Sequence, residues 1–140
     1  MASSAAMTAL DAAVTAAWPH TPIHFPNVAG AVPNDGSPLL IVTYPVADET
    51  MLTVGAPGAN VWREEGAVRV VLSVPVGMGL ALDGVSWPER IDALRAALRG
   101  KVFGGVVTYE ATPPATNDQS DRGAYFDLSF AVAYQFDLIG

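Results

Sequence analysis

The side chains able to do chemistry are few and poorly grouped in this sequence. It contains no cysteine, which removes thiolate catalysis, Cys-based zinc sites and any disulfide framework. His20 and His24 are its only histidines. Their spacing suits one face of a helix, but Pro19 and Pro22 oppose a helix there. On an extended segment they still share a face, yet no acidic residue lies near them in sequence, so they read as two partly exposed imidazoles. Gly100-Lys101 lacks the upstream glycine and the following Ser or Thr of a phosphate loop, and Gly77-Met78-Gly79 reads as a strand-ending turn. No Gly-x-Ser-x-Gly nucleophile elbow is present. Asp118 and Asp121 do not fit the EF-hand calcium pattern and read as a solvated acidic loop. Glu64 and Glu65 are adjacent, so on a strand they face opposite ways and do not share one acid–base function. We therefore expect no enzyme, no cofactor and no metal site. Arg63, Glu64 and Glu65 are better read as charge of both signs at the mouth of a strand, suited to a subunit interface. Trp62 beside them is an interface candidate, whereas Trp18 and Trp87, at helix ends on the apolar side, belong to the core.

Composition narrows the partners. The 140 residues fit one domain, 1–140, long enough to bury a sizeable core without staples. Acidic residues outnumber basic ones 14 to 7, for a formal net charge of −7. That balance opposes tight binding to phosphate backbones but suits a surface past which DNA slides without sticking. A single lysine, Lys101, argues against a polybasic nucleic-acid or membrane patch. Mean hydropathy is +0.32, but the longest uncharged stretch, Ala12 to Asn34, is broken by Pro19, Pro22, Pro26 and Pro33, and a spanning helix needs roughly 20 apolar residues in a row. With no basic start before Asp11, the expectation is a soluble chain without a signal peptide.

The elements that would position these residues follow from periodicity. Met7, Leu10, Val14 and Trp18 recur at helical spacing in an alanine-rich segment that Ser3 or Ser4 caps and Pro19 ends. Thr21 to Pro26 suits an edge strand or extended arm. Leu39 to Tyr44 reads as a short strand closed by Pro45, and Val46 to Asn60 as a long loop holding at most a short strand at Met51 to Val54. In Trp62 to Val76, Val68, Val70, Leu72, Val74 and Val76 share one face, opposite Arg69, Val71 and Ser73. Ser86-Trp87-Pro88-Glu89 is a capping box, opening a helix with the stripe Ile91, Leu94 and Leu98. Val106 to Ala111 is a strand and Thr112 to Gly123 a surface loop. The clearest signal is the strand Ala124 to Leu138: Phe126, Leu128, Phe130, Val132, Tyr134, Phe136 and Leu138 point one way, and Tyr125, Asp127, Ser129, Gln135 and Asp137 the other. Elements in this order predict an α+β domain, a mainly antiparallel β-sheet with two helices packed on one face.

This layout resembles the tail terminator proteins of long-tailed phages and gene transfer agents. The matching elements are a short N-terminal helix ending in Ala17-Trp18-Pro19 and the extended Thr21 to Asn27. Trp62-Arg63 then leads into Val68 to Val76, followed by the helix from Ser86 and the closing hairpin Val106–Ala111 and Tyr125–Phe136. The resemblance implies a homo-hexameric ring in the virion, assembled in the host cytoplasm. Such a ring caps the head-proximal end of the tail tube, ends tube polymerisation and joins the head through a stopper (head-completion) protein, with genome DNA passing through unbound. On that view the long loops Val46 to Asn60 and Thr112 to Gly123 are candidates for subunit contacts or for docking tube and stopper, and Asp48, Glu49, Trp62, Arg63, Glu64, Glu65, Asp118, Asp121 and Arg122 are candidates for subunit or partner contacts. Asp127, Gln135 and Asp137 are candidates to face the channel. The alternatives are another head–tail connector, a tail-tube subunit, or a monomeric ligand-binding or adaptor domain, with a small hydrolase least favoured.

Overall fold

The alanine-rich segment behind Ser3 forms helix α1 (Ser4–Ala17), with the Ser3 hydroxyl accepting from the Ala6 amide (3.3 Å). The computed structural model describes residues 2–25, 37–75, 81–82, 85–117 and 125–140. After α1 come β1 (Ile23–His24), β2 (Leu39–Met51), β3 (Val61–Pro75), β4 (Ala81–Leu82), β5 (Val85–Ser86), α2 (Trp87–Leu98), β6 (Val102–Phe103), β7 (Val106–Ala111), β8 (Ala115–Asn117) and β9 (Tyr125–Ile139). Ser86 caps α2 through the Glu89 amide (3.5 Å). Gly100 follows the helix at φ +61°, in the left-handed region where a Cβ is strained.

The main sheet runs β1-β2-β3-β9-β7-β6, with β8 lying beyond β7 along the same edge of β9, while β4 and β5 form a small ribbon of their own. All pairings are antiparallel except β1 with β2. β3 and β9 pair along their whole lengths, from Val61↔Ile139 to Pro75↔Tyr125. Both helices pack on one face of this curled sheet, giving an α+β domain. There Val68, Val70, Leu72 and Val74 of β3 join Leu128, Phe130, Val132 and Tyr134 of β9, and Leu40 and Val42 of β2. Leu10, Val14 and Trp18 of the first helical segment and Ile91, Leu94 and Leu98 of α2 close over them. Each such side chain contributes on the order of 1.5–3 kcal/mol when fully buried, so register is strongly specified. No helix among the described residues is long and apolar enough to cross a membrane.

Two expectations need correction. β2 does not stop at Pro45 but continues to Met51, with a register shift between Thr43 and Val46. This bulge absorbs the missing N–H of Pro45 and reverses the alternation: Leu40 and Val42 face the helices before it, Ala47 and Glu49 after it. Gly66 opposite makes the bulge fit, since a Cβ there would lie 2.5 Å from the Val46 carbonyl oxygen and 2.9 Å from the Tyr134 hydroxyl. The stretch after Ala111 is likewise more than a loop, because Ala115–Asn117 pairs with Ser129 to Asp127 of β9. The face away from the helices is partly covered as well, with Leu39, Val71, Ser73 and Tyr125 buried on it.

Candidate assembly surface

The far end of the sheet departs from the pattern of the core. Met51, Trp62 and Leu138 stand side by side in the ladder, and Val61 stands beside Ile139. Met51 is exposed, and Trp62 and Leu138 are only half-buried. The Leu52 amide donates to the Val61 carbonyl (2.8 Å), and Asn60 and Gly140 exchange both main-chain hydrogen bonds (3.3 and 2.9 Å). The Trp62 Nε1–H donates to the Gly140 carbonyl (2.9 Å). Hydrogen bonds therefore build this tip, and it displays Leu52, Val54 (92% exposed) and Ile139 (75% exposed) to solvent. Clustered exposed apolar side chains of this kind mark interaction surfaces.

Charged groups line the sheet behind the tip, on the face away from the helices. Arg63 holds Asp137 through two parallel bonds, Nε to Oδ1 (2.8 Å) and Nη2 to Oδ2 (2.9 Å). That pairing holds the Asp137 carboxyl below its ordinary range and raises the Arg63 guanidinium. The Gln135 amide, with its nitrogen toward the Tyr109 hydroxyl (3.0 Å) and its oxygen toward Arg63 (3.2 Å), extends the network to β7. Beside it Asp48 stands opposite Glu65, and on the other face Glu49 stands opposite Glu64. Like charges in directly opposed positions weaken a strand pair, so this part of the ladder is stabilised by something other than its charges.

Glu64, an interface candidate from sequence, is instead satisfied within the chain. It is 4% exposed, accepting from the Tyr134 hydroxyl (2.6 Å) through Oε2 and from the Ser3 amide (3.0 Å) through Oε1. The carboxylate thus ties the start of α1, where negative charge is favoured, to β3 and β9. Burial and the Glu64 carboxylate together push the Tyr134 phenol well above its usual range. Glu64 is a structural clamp inside one chain.

The remaining candidates divide. Asp48, Glu49 and Glu65 are exposed near the tip, and Trp62 lies at its base. Arg63, Gln135 and Asp137, assigned separately to interface and channel, form one network. Asp127 shares their face but sits ten residues, about 33 Å, from Asp137 along the strand. It is half-buried and accepts from the Ser73 hydroxyl (2.7 Å), so it does not belong to the same patch. Asp118, Asp121 and Arg122 lie outside the described residues. No cluster of three or more metal-ligating side chains occurs among the described residues. Trp18 and Trp87 are buried, as expected, and His20 packs edge-on against Trp18 (4.9 Å between ring centroids).

The sequence offers the stretch Val46 to Asn60 as a contact candidate without singling out Val46, Met51, Leu52 and Val54 within it, and it does not point to Ile139; all five are exposed. The apolar run Met51 to Val54 was the available signal, and its exposure follows from a hairpin that the proline at 45 conceals. Also missed was an open groove of about 620 Å³ at the other side of the sheet, lined by Arg99, Gly100, Thr108, Tyr109, Glu110 and Ala133.

No family model matches the sequence, and no curated protein does. Among the solved structures that match, one aligns over 94% of this chain and 89% of its own, at 20% identity with a TM-score of 0.49. That likeness carries no functional argument.

Proposed function

We propose that the chain is a structural virion protein of the tail-terminator kind. It forms a ring, a homo-hexamer on the resemblance drawn from sequence, that caps the head-proximal end of the tail tube. The cap ends tube polymerisation and offers the surface for head–tail joining. The observation that carries this reading is the projecting end of the sheet, which is ordered by hydrogen bonds yet displays Met51, Leu52, Val54 and Ile139 to solvent. A surface so built is suited to another protein subunit rather than to a small molecule, which is bound in a concave pocket. The net charge of −7 supports the same reading, since a ring around DNA must repel the phosphate backbone weakly enough to pass it and strongly enough not to hold it. The partners on this view are further copies of the chain, the tail tube protein and the head-completion protein, and the reading needs no catalysis and no cofactor.

The decisive experiment adds the purified chain to tube protein growing in solution and follows tube lengths by negative-stain microscopy, with immunogold labelling of intact virions. Capped tubes of arrested length and gold confined to the head-proximal tail end are expected. Tubes that lengthen unhindered, or label anywhere else on the particle, overturn the proposal.

A further inference from the structure

The sheet's two edges differ in charge and lie at the same height. Beyond Ile41, β2 has no strand partner on its outer side among the described residues, since β1 covers only Leu40 and Ile41. That uncovered stretch carries Asp48 and Glu49, both exposed, with exposed Val46 and Met51. On the opposite edge β6 pairs only with β7. It carries exposed Val102, with exposed Arg99 and Lys101 just before it and exposed Tyr109 of β7 alongside. Among the described residues, Asp48, Glu49, Arg99 and Lys101 make no side-chain ion pair.

Register brings these edges to one level. Asp48 stands opposite Glu65, Glu65 opposite Gln135, Gln135 opposite Val107 and Val107 opposite Val102. One step away, Ala47 leads through Gly66 and Tyr134 to Thr108, whose amide donates to the Lys101 carbonyl (2.8 Å). Strand directions alternate across the four intervening pairings, so β2 and β6 run the same way. The sheet already accepts a parallel neighbour on this side of β2, in β1.

We infer that the uncovered β2 edge, Val46 to Met51, binds the β6 edge of a second copy, with Asp48 and Glu49 set against Arg99 and Lys101 of that copy. This inference rests on the ring reading only in taking the occupant to be another copy of the chain. Charge decides the mode of contact. A two-fold pairing of β2 with itself would set Asp48 and Glu49 of one copy against those of the other, and opposed like charges are unfavourable. The favourable contact joins different surfaces, repeats from copy to copy, and closes a ring if the rotation permits. Acidic residues and the bulge at Pro45 guard the β2 edge against indiscriminate strand addition, while the basic β6 edge meets it with complementary charge.

Absence of native cysteine allows a direct test. Val46→Cys and Val102→Cys are made separately, mixed and treated with a short bismaleimide. The mixture should give several-fold more cross-linked dimer than either variant alone. A control mixing Val102→Cys with Ala96→Cys, on the exposed side of α2, should give only background. Adding Arg99→Glu and Lys101→Glu to the Val102→Cys chain should lower the mixed yield about tenfold. Placing Asp48→Lys and Glu49→Lys in its partner should restore it. Val46→Cys cross-linking to itself as well as to Val102→Cys would overturn the inference, as would a mixed yield no greater than the control or indifferent to charge reversal. Cross-linking that succeeds while virion labelling lies away from the head-proximal tail end would sink the terminator reading and leave the edge contact standing. Correct labelling with failed cross-linking would do the reverse.

Discussion

Under the helices, β3 and β9 form a ladder whose inward side chains, Val68 to Val74 and Leu128 to Tyr134, are almost wholly removed from water. At the far end the same two strands continue with unbroken register, yet Ile139 at the end of β9 is exposed, as are Met51 and Leu52 beside β3. One region is held by apolar burial, the other by main-chain pairing, the Asn60–Gly140 bonds and the Arg63–Asp137 ion pair. The difference teaches that side chains in the second region are free of the work of folding, and can be chosen for contact with something outside the chain. Glu64 marks the boundary between the two, since its carboxylate closes the helix-covered region just where exposure begins.

The comparison can be broken most severely from the buried side. Phe130→Asp places an unpaired charge among Val70, Val132 and the helices, and should cost more than about 4 kcal/mol, read as loss of soluble protein. Glu64→Leu strips the Tyr134 hydroxyl and the Ser3 amide of their acceptor. It should cost about 2–4 kcal/mol in urea unfolding, with Glu64→Gln, which keeps an acceptor, costing clearly less. Gly66→Ala forces a methyl against the Val46 carbonyl and should cost about 1–3 kcal/mol. A chain that tolerates it without loss of Tm would show that the bulge relaxes freely.

Smaller effects sharpen the boundary. The Tyr44 hydroxyl donates to Asp11 Oδ1 between β2 and α1. Burial raises the Asp11 carboxyl above its ordinary value of 3.8, the hydrogen bond only partly offsetting it. A group whose folded value is raised stabilises fully below the unfolded value and loses that contribution as pH rises through the folded one. Asp11→Asn keeps an oxygen for Tyr44 and removes the titration. Its stability relative to wild type should therefore increase from pH 4 to pH 7, and a constant difference across that range would dismiss the linkage. Least of all, Val54→Ser should change unfolding free energy by no more than about 0.5 kcal/mol. A larger loss would mean that the tip supports the fold after all.

Much of the architecture was legible in the residues themselves. Alternation from Phe126 to Phe136 assigned the core face of β9, and Ser3 and Ser86 marked the helix starts, because caps and periodicities are local and act within a few residues. The continuation of β2 was not legible. A proline ends most strands, and the close approach that accommodates this one depends on Gly66 and Tyr134, far along the chain.

The candidate surface divides in the same way. Sequence alone determined that Glu64 and Glu65 face opposite sides of a strand, that Arg63 and Asp137 sit on strands, and that the chain is acidic and lacks cysteine. Only the tertiary structure decided which glutamate is buried, through Ser3, 61 residues away, and that Arg63 meets Asp137 across 74 residues. It also decided that the apolar run after β2 reaches solvent. Those outcomes depend on strand register and on which part of the sheet the helices cover. Both are set by the packing of the whole domain, and no short window of residues contains them.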